Sequence, residues 1–315
     1  MVRRATSRVF AKIAGEVDQA LSRRRRTDEP GNAIGRALAR SDGWSVDDVI
    51  CTSGPADRPF EERHTRVSLA IVAAGTFQYR STTGRALLTP GSILLGNAGQ
   101  PFECGHEHAP GDRCIAFNYA PEYFERLAAD AGAGRVTRGF AVPRLPPLRE
   151  AAGLIARASA GVLGETDMAW EEMALRFGAL VARLASERRR ERGQTSAKAV
   201  ARVTDVVRAI ERSRVDTLSL SDLARLAGLT PYHFLRTFEQ VTGVTPHQYV
   251  RRSRLREAAT RLVSEKTKVI EVAYESGFRD VSNFNRAFRA EFDASPRGYR
   301  RARMGSDSNF EEIRV

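Results

Sequence analysis

The sequence has only three cysteines among 315 residues, Cys51, Cys104 and Cys114. A small, odd number of cysteines argues against a disulfide framework and indicates a reducing compartment. No uninterrupted apolar run reaches the roughly 18 residues of a membrane-spanning helix, and no apolar segment follows Met1 as in a signal peptide. The expected location is therefore the cytoplasm.

Familiar catalytic signatures are also missing. The sequence contains no glycine-rich phosphate loop, no His-Glu-x-x-His pair and no Gly-x-Ser-x-Gly elbow. Its carboxylates are scattered among other charges, as on a solvated surface. These absences predict a protein that is not an enzyme.

Acidic residues are fewer than basic ones in this chain. The chain has 50 Lys and Arg residues against 38 Asp and Glu, a net charge of +12 and a pI near 10.3. This excess favours an anionic partner, which is either nucleic acid or a membrane surface. A membrane surface is the weaker interpretation because no predicted helix has the strongly apolar face that it requires.

The order of sequence patterns divides the chain into five segments. They are a basic N-terminal arm and linker (1–43), a β domain (44–120), a helical connector or dimerisation segment (121–193), a helical domain (198–303) and a disordered tail (304–315). In the β domain, short apolar runs recur about every ten residues between Gly and Pro turn signals, which is typical of a small antiparallel barrel or jelly roll. The predicted fold class is α+β, with an antiparallel β-barrel followed by helices and an all-α domain.

The helical domain contains an internal repeat. Five residues recur 50 positions later, so that Phe234, Arg236, Phe238, Pro246 and Tyr249 match Phe284, Arg286, Phe288, Pro296 and Tyr299. Each copy predicts a helix, a tight turn and a second helix. In the first copy Ser219 and Thr230 are the predicted N-caps, and Gly228 permits the turn.

The second helix of each copy leaves polar residues on its outer face. They are Tyr232, His233, Arg236 and Thr237 in the first copy, and Ser282, Asn283, Asn285, Arg286 and Arg289 in the second. In the major groove arginine pairs with guanine edges and asparagine with adenine edges, while serine and arginine also hold phosphates. Residues 196–303 carry 21 Lys and Arg against 12 Asp and Glu, which supplies electrostatic attraction. The pattern predicts binding to double-stranded DNA.

Residues 217–303 resemble the DNA-binding domain of the AraC/XylS family of bacterial transcription regulators. The matching positions are Leu223-Ala224 to Gly228, Phe234-Leu235-Arg236, Phe238, Gly243 and Pro246 in the first half, and Gly277-Phe278, Phe284, Arg286-Ala287-Phe288, Pro296 and Tyr299-Arg300 in the second. The resemblance implies two helix-turn-helix units joined by a long helix, expected here at 247–264, with both recognition helices on one DNA face. Leu235 departs from relatives that carry a polar residue there, and Glu239 is acidic. The first helix is therefore expected to read fewer bases.

The resemblance also implies a role for the rest of the chain. Many members of this family carry a cupin-like sensor barrel before the DNA-binding domain, and residues 60–118 fit that arrangement. The implied function is sequence-specific transcription regulation in response to a ligand, metal or redox signal. RNA polymerase, a small-molecule effector and a homodimer partner follow as family expectations, and so does activation, although the residues themselves do not distinguish it from repression.

Metal-ligand residue types cluster late in the β domain. Cys104, His106, His108 and Cys114 match a tetrahedral set for zinc or another transition metal in type, and alternation along a strand would put the first three on one face. His64 and Asp112 are further candidate ligands. Two alternatives stay open, which are a redox-sensing thiol pair and a packing role for the cysteines.

A second interpretation of the whole protein is a metal-dependent cupin enzyme fused to a DNA-binding module. In a cupin dioxygenase the His-x-His pair precedes the Pro-Gly turn, whereas His106 and His108 follow Pro90-Gly91 here. The enzymatic metal site is therefore not transferable to these residues, and the regulator is the favoured interpretation.

Overall fold

The computed structural model describes residues 8–133, 136, 139–164, 168–188, 195–212 and 219–304. The strands in these residues are β1 (Ala33–Ser41), β2 (Trp44–Cys51), β3 (Phe60–Arg63), β4 (Val67–Gly75), β5 (Phe77–Ser81), β6 (Gly84–Leu88), β7 (Ile93–Gly96), β8 (Pro101–Gly105), β9 (Asp112–Tyr119) and β10 (Arg144–Leu145). The helices are α1 (Arg8–Thr27), α2 (Pro121–Asp130), α3 (Arg149–Val162), α4 (Trp170–Ser186), α5 (Ala197–Arg212), α6 (Leu220–Leu226), α7 (Pro231–Thr242), α8 (Pro246–Ser264), α9 (Val269–Glu275), α10 (Val281–Phe292) and α11 (Pro296–Met304). The predicted disordered tail, apart from Met304 in α11, lies outside the described residues.

The strands form two antiparallel sheets packed face to face. One has the order β1-β2-β9-β4-β7-β10 and the other the order β3-β8-β5-β6. Side chains from both sheets share a core that includes Val72, Tyr79 and Cys104. This sandwich confirms the α+β fold class and the predicted antiparallel β domain, although the strands form two open sheets and not a closed barrel.

The six-stranded sheet is buried on both faces. Along β9, Cys114 faces the other sheet, whereas the next residues of opposite orientation, Ile115 and Phe117, face helices α2 to α4. The ring of Phe117 packs 4.6 Å from the ring of Phe177 on α4. The helices predicted as a connector are thus part of the core of the N-terminal domain.

The N-terminal segment does not form the predicted arm and linker. Helix α1 buries Ile13, Val17 and Leu21 against the six-stranded sheet, and β1 pairs along its length with β2. The prediction for residues 1–43 is wrong for these elements because α1 has only a narrow apolar stripe among arginines, and because β1 is a largely exposed edge strand. An ion pair between a buried arginine and a partly exposed glutamate also anchors α1, since the Nη2 of Arg113 on β9 lies 3.0 Å from the Oε2 of Glu16.

The C-terminal domain follows the predicted repeat. Ser219 caps α6 in a reciprocal capping box with Asp222, and Thr230 caps α7 with Pro231 at the first helical position. Gly228 has the predicted positive φ, +61°. The joining helix α8 buries Tyr249, Leu255, Ala258 and Leu262, as the sequence predicts. At the start of α8, Thr245 and Gln248 form a second capping box.

Candidate nucleic-acid interface and buried thiol cluster

Helix α7 separates its apolar and polar faces cleanly. Phe234, Phe238 and Val241 are buried in the core of the first helix-turn-helix unit. On the other side, Tyr232, His233 and Arg236 are exposed, whereas Thr237 is only half-buried. The guanidinium carbon of Arg236 lies 6.0 Å from the ring centroid of Tyr232, within range of a cation–π contact that orients this arginine.

Leu235 and Glu239, the two residues of α7 noted above as unfavourable for reading bases, differ in exposure. Leu235 is half-buried beside Arg236, and Glu239 is exposed one turn further along. An apolar side chain offers no hydrogen bond and an exposed carboxylate would repel phosphates, so the expectation that α7 reads fewer bases stays a prediction.

Helix α10 presents a second and more polar surface. Its buried side carries Phe284 and Phe288, and its exposed residues include the whole predicted set. These exposed residues are Ser282, Asn283, Asn285, Arg286 and Arg289. The sequence had placed them correctly because the phenylalanine spacing fixes the orientation of the helix.

The N-terminus of α10 is held by Asp280. Its carboxylate accepts hydrogen bonds from the backbone nitrogens of Asn283 at 2.8 Å and Ser282 at 2.9 Å. These hydrogen bonds, with the charge of Arg286, lower the pKa of Asp280 below its usual value. The first turn of α10 is thus fixed before any DNA binds.

The arginines of α8 differ from those of α7 and α10 in whether they form ion pairs. On α8, Arg252, Arg256 and Arg261 pair with the carboxylates of Glu291, Glu211 and Glu265. By contrast, within the part of the chain that the structure describes, Arg236, Arg286 and Arg289 form no ion pair. The exposed arginines of α7 and α10 are therefore available to meet an anionic ligand.

The N-terminal domain contacts the C-terminal ends of both helices through residues 144–149. Arg144 on β10 donates to the carbonyl oxygens of Val241 and Thr242, each at 2.7 Å. Arg149, at the start of α3, pairs with Asp293, which caps α10 in a left-handed conformation. These contacts could not be predicted from sequence patterns because they join residues about 100 and 144 positions apart.

The predicted metal ligands are only partly brought together. His106 lies in a buried trio with Cys51 and Asp112, whose ligand atoms are all within 4.8 Å of one another. Cys114 donates to the Oδ2 of Asp112 at 3.3 Å, and Cys104 is buried in the same inter-sheet core. We call these five residues the thiol cluster.

His108 does not belong to the thiol cluster, so its inclusion in the predicted ligand set is wrong. Strand β8 ends at Gly105, and the alternation that would align His108 with Cys104 stops there. The Nε2 of His108 lies instead 3.8 Å from the Oε2 of Glu107. Cys51 was missed because it approaches from β2, where its register with Asp112 brings the two side by side. His64 lies elsewhere, with its Nε2 2.8 Å from the hydroxyl of Tyr79.

Electrostatics couple the members of the thiol cluster. Burial alone would lower the pKa of His106, but its 2.6 Å hydrogen bond to Asp112 and the proximity of Cys51 raise that pKa to about 9. Burial, reinforced by the charge of Asp112, raises the pKa of both Cys104 and Cys114 well above the usual value. At neutral pH His106 is therefore protonated, and the thiols of Cys104 and Cys114 are neutral.

Comparison with known proteins agrees with the geometry of the C-terminal domain. A helix-turn-helix domain family matches residues 223–302. The Tn10 TetD protein of Escherichia coli is 37% identical over 102 residues, which cover 32% of this chain and 74% of TetD. The transcriptional activator AarP of Providencia stuartii is 32% identical over 103 residues, which cover 33% of this chain and 76% of AarP.

One relative extends the similarity beyond the C-terminal domain. The transcriptional activator NphR of a Rhodococcus species is 29% identical over 248 residues, which cover 76% of this chain and 71% of NphR. In the described residues, no helix is both long and apolar enough to cross a membrane. AarP and NphR are both named as transcriptional activators. The double helix-turn-helix domain with its exposed basic faces, and the relatives that share it, lead to one conclusion: the chain belongs to the AraC/XylS family of DNA-binding transcription regulators.

Proposed function

We propose that α7 and α10 read base edges in two successive major-groove segments, and that a signal received by the N-terminal domain controls this binding. The observation that carries the proposal is the distribution of charge: the exposed arginines of α7 and α10 are unpaired within the described residues, whereas three on α8 are neutralised internally. Arginines that form internal ion pairs are less available for contacts with DNA.

The exposed residues divide by chemistry between bases and phosphates. Arg236 and Arg286 are the proposed guanine readers, and Asn285 is the proposed adenine reader. Tyr232, His233, Ser282, Asn283 and Arg289 are proposed to contact the sugar-phosphate backbone or neighbouring base edges. Thr237 contributes less because its side chain is half-buried.

The direct test is selection of DNA sites from a random pool by the full chain, followed by footprinting on the best site. We expect two protected major-groove segments on one face of the duplex, roughly 34 Å apart. Protection of a single segment would refute the role given to one of the two helices. Failure to enrich any sequence would overturn sequence-specific reading altogether.

We further propose that the chain activates transcription through contact with RNA polymerase. The support is that AarP and NphR are both transcriptional activators. The check is transcription in vitro from a promoter that carries the selected site, with and without the protein. A lower yield with the protein would make the chain a repressor.

The effector and the oligomeric state are proposals of the same kind. A cavity of about 300 Å³ lies between α3 and the second helix-turn-helix unit, lined among others by Arg149, Gly153 and Tyr299. A small molecule bound there would touch both domains, so we propose this cavity as the effector site. Gly153→Trp, which would fill it, should make DNA affinity insensitive to the effector. A homodimer is tested by light scattering of the full chain with and without DNA.

Communication between the domains is proposed to run through residues 144–149. Arg144 holds the end of α7, while Arg149 holds the cap of α10. A shift of this segment relative to the sheet would therefore change the spacing or tilt of both recognition helices at once. Such a two-state element is what allosteric control requires.

A further inference from the structure

All three cysteines of the chain meet at one place. Cys51 ends β2, Cys104 lies on β8 and Cys114 on β9, so the thiols come from both sheets of the sandwich. They converge on His106 and Asp112, and all five residues are buried. Three cysteines spread over 63 positions have no reason to meet if each serves only as a small packing residue.

The spacing of the donor atoms suits a single ion. The thiol of Cys51, a ring nitrogen of His106 and a carboxylate oxygen of Asp112 lie within 4.8 Å of one another. Ligands at the usual bond lengths around a tetrahedral zinc are roughly 3.3–3.8 Å apart. The trio can therefore bind one ion once the 2.6 Å hydrogen bond between His106 and Asp112 opens and the side chains adjust. The thiol of Cys114 lies 3.3 Å from the Oδ2 of Asp112 but outside this group of mutually close ligand atoms, so its side chain must turn inward to supply a fourth donor.

A second, independent observation points to a missing ligand. The Nδ1 of His106 is buried and has no hydrogen-bond partner within the described residues. Buried polar atoms are nearly always satisfied, and an imidazole nitrogen without a partner is a natural donor to a metal. Asp112 contacts the other ring nitrogen, Nε2, so its carboxylate must rotate to share an ion bound at Nδ1.

We propose that the thiol cluster binds one thiophilic d-block metal ion of the Zn²⁺ type, with Cys51, His106, Asp112 and Cys114 as ligands. Sulfur and nitrogen donors select such ions over Mg²⁺ and Ca²⁺. On binding, the thiols of Cys51 and Cys114 and the imidazolium of His106 each release one proton to solvent, and their lone pairs form the metal bonds. The ion would join β2 and β9 to the segment that follows β8, and so tie the two sheets together.

The experiment uses the full chain, reduced and stripped with a chelator, then dialysed against Zn²⁺ or Co²⁺ without oxygen. We expect about one ion per chain, and for Co²⁺ the thiolate charge-transfer absorption with the strong visible bands of a tetrahedral site. Cys51→Ser and His106→Asn should each lose the ion, whereas His108→Asn should keep it. His108 is the matched control because it is the same residue type only two positions away.

Two further measurements keep the test decisive if a variant misfolds. Zn²⁺ should raise the melting temperature of the wild-type chain, and it should slow the reaction of its thiols with a disulfide reagent. Wild-type protein that binds no stoichiometric ion, or a His108→Asn variant that loses the ion as completely as His106→Asn, overturns the proposal. DNA binding is measured on the same samples, so failure of the metal site and failure of the regulator function are distinguishable.

Discussion

Arg144 of the β domain and Thr242 at the end of α7 are joined by a 2.7 Å hydrogen bond from guanidinium to backbone carbonyl. The second terminal nitrogen of Arg144 takes the neighbouring carbonyl of Val241. A cation at the C-terminus of a helix also complements its dipole. One arginine therefore connects the sandwich to the recognition helix α7.

Replacing this arginine should uncouple the domains. Arg144→Ala removes two charge-assisted hydrogen bonds, and we expect the interface to weaken by about 1.5–3 kcal/mol. Calorimetry should then resolve two unfolding transitions, or one that is clearly broadened, where the wild type shows one. Arg80→Ala is the control, because it removes an ion pair with Glu103 that lies within the four-stranded sheet, away from residues 144–149. An unchanged transition in Arg144→Ala would contradict the coupling role of residues 144–149.

Two glycines provide a matched test of the same interface. Gly228 and Gly243 both have positive φ, +61° and +79°, so alanine at either position is strained by about 1–2 kcal/mol. A Cβ on Gly228 would meet no atom within 4 Å, whereas a Cβ on Gly243 would lie 2.9 Å from the Cβ of Pro146. Gly243→Ala should therefore destabilise the chain more than Gly228→Ala in urea unfolding. Equal losses would show that Pro146 yields without cost.

Arg286 should carry sequence preference and not only affinity. Arg286→Ala is expected to weaken binding to the selected site by about 1–3 kcal/mol, while binding to random DNA falls much less. Fluorescence anisotropy with both DNAs at one salt concentration measures the ratio. Arg40→Ala, on the exposed edge strand β1, makes the same charge change away from the recognition helices and should leave the ratio unaltered. Equal weakening on both DNAs would make Arg286 a phosphate contact.

Acid should destabilise the β domain through His64. Burial lowers the pKa of His64 to about 4, from the value of 6.5 that is usual for a solvated histidine and expected in the unfolded chain. Between these values the unfolded state binds the extra proton, so stability is present above pH 6.5 and is lost as the pH falls towards 4. The loss is about 1.4 kcal/mol per pH unit across that window. Urea unfolding from pH 7 to 4 should show a shallower decline for His64→Gln, and parallel curves would contradict the assignment.

The C-terminal domain was predictable in detail because its determinants are local. The capping residues Ser219 and Thr230, the turn at Gly228 and the phenylalanine spacing each act within a few residues of the chain. Exposure of Arg286 follows from the burial of Phe284 and Phe288 on the same helix. Local rules of this kind leave little for tertiary structure to override.

The N-terminal domain was less predictable because its pairings are distant. Strand β1 has few buried side chains, and its identity as a strand depends on pairing with β2. Cys51 meets Asp112 through strand register across 61 residues, which no spacing rule in the sequence reveals. The alternation expected for His108 failed for a local reason, since β8 ends three residues earlier.

The internal ion pairs of α8 have a consequence for ionic strength. The logarithm of DNA affinity falls linearly with the logarithm of salt concentration. The slope is roughly −0.9 for each phosphate that a cation of the protein neutralises. Arg252, Arg256 and Arg261 are committed to glutamates, so a count of the 21 basic residues in this domain overstates the counterions that binding releases. We therefore expect the DNA affinity of this chain to fall less steeply with salt concentration than the number of its basic residues alone would predict.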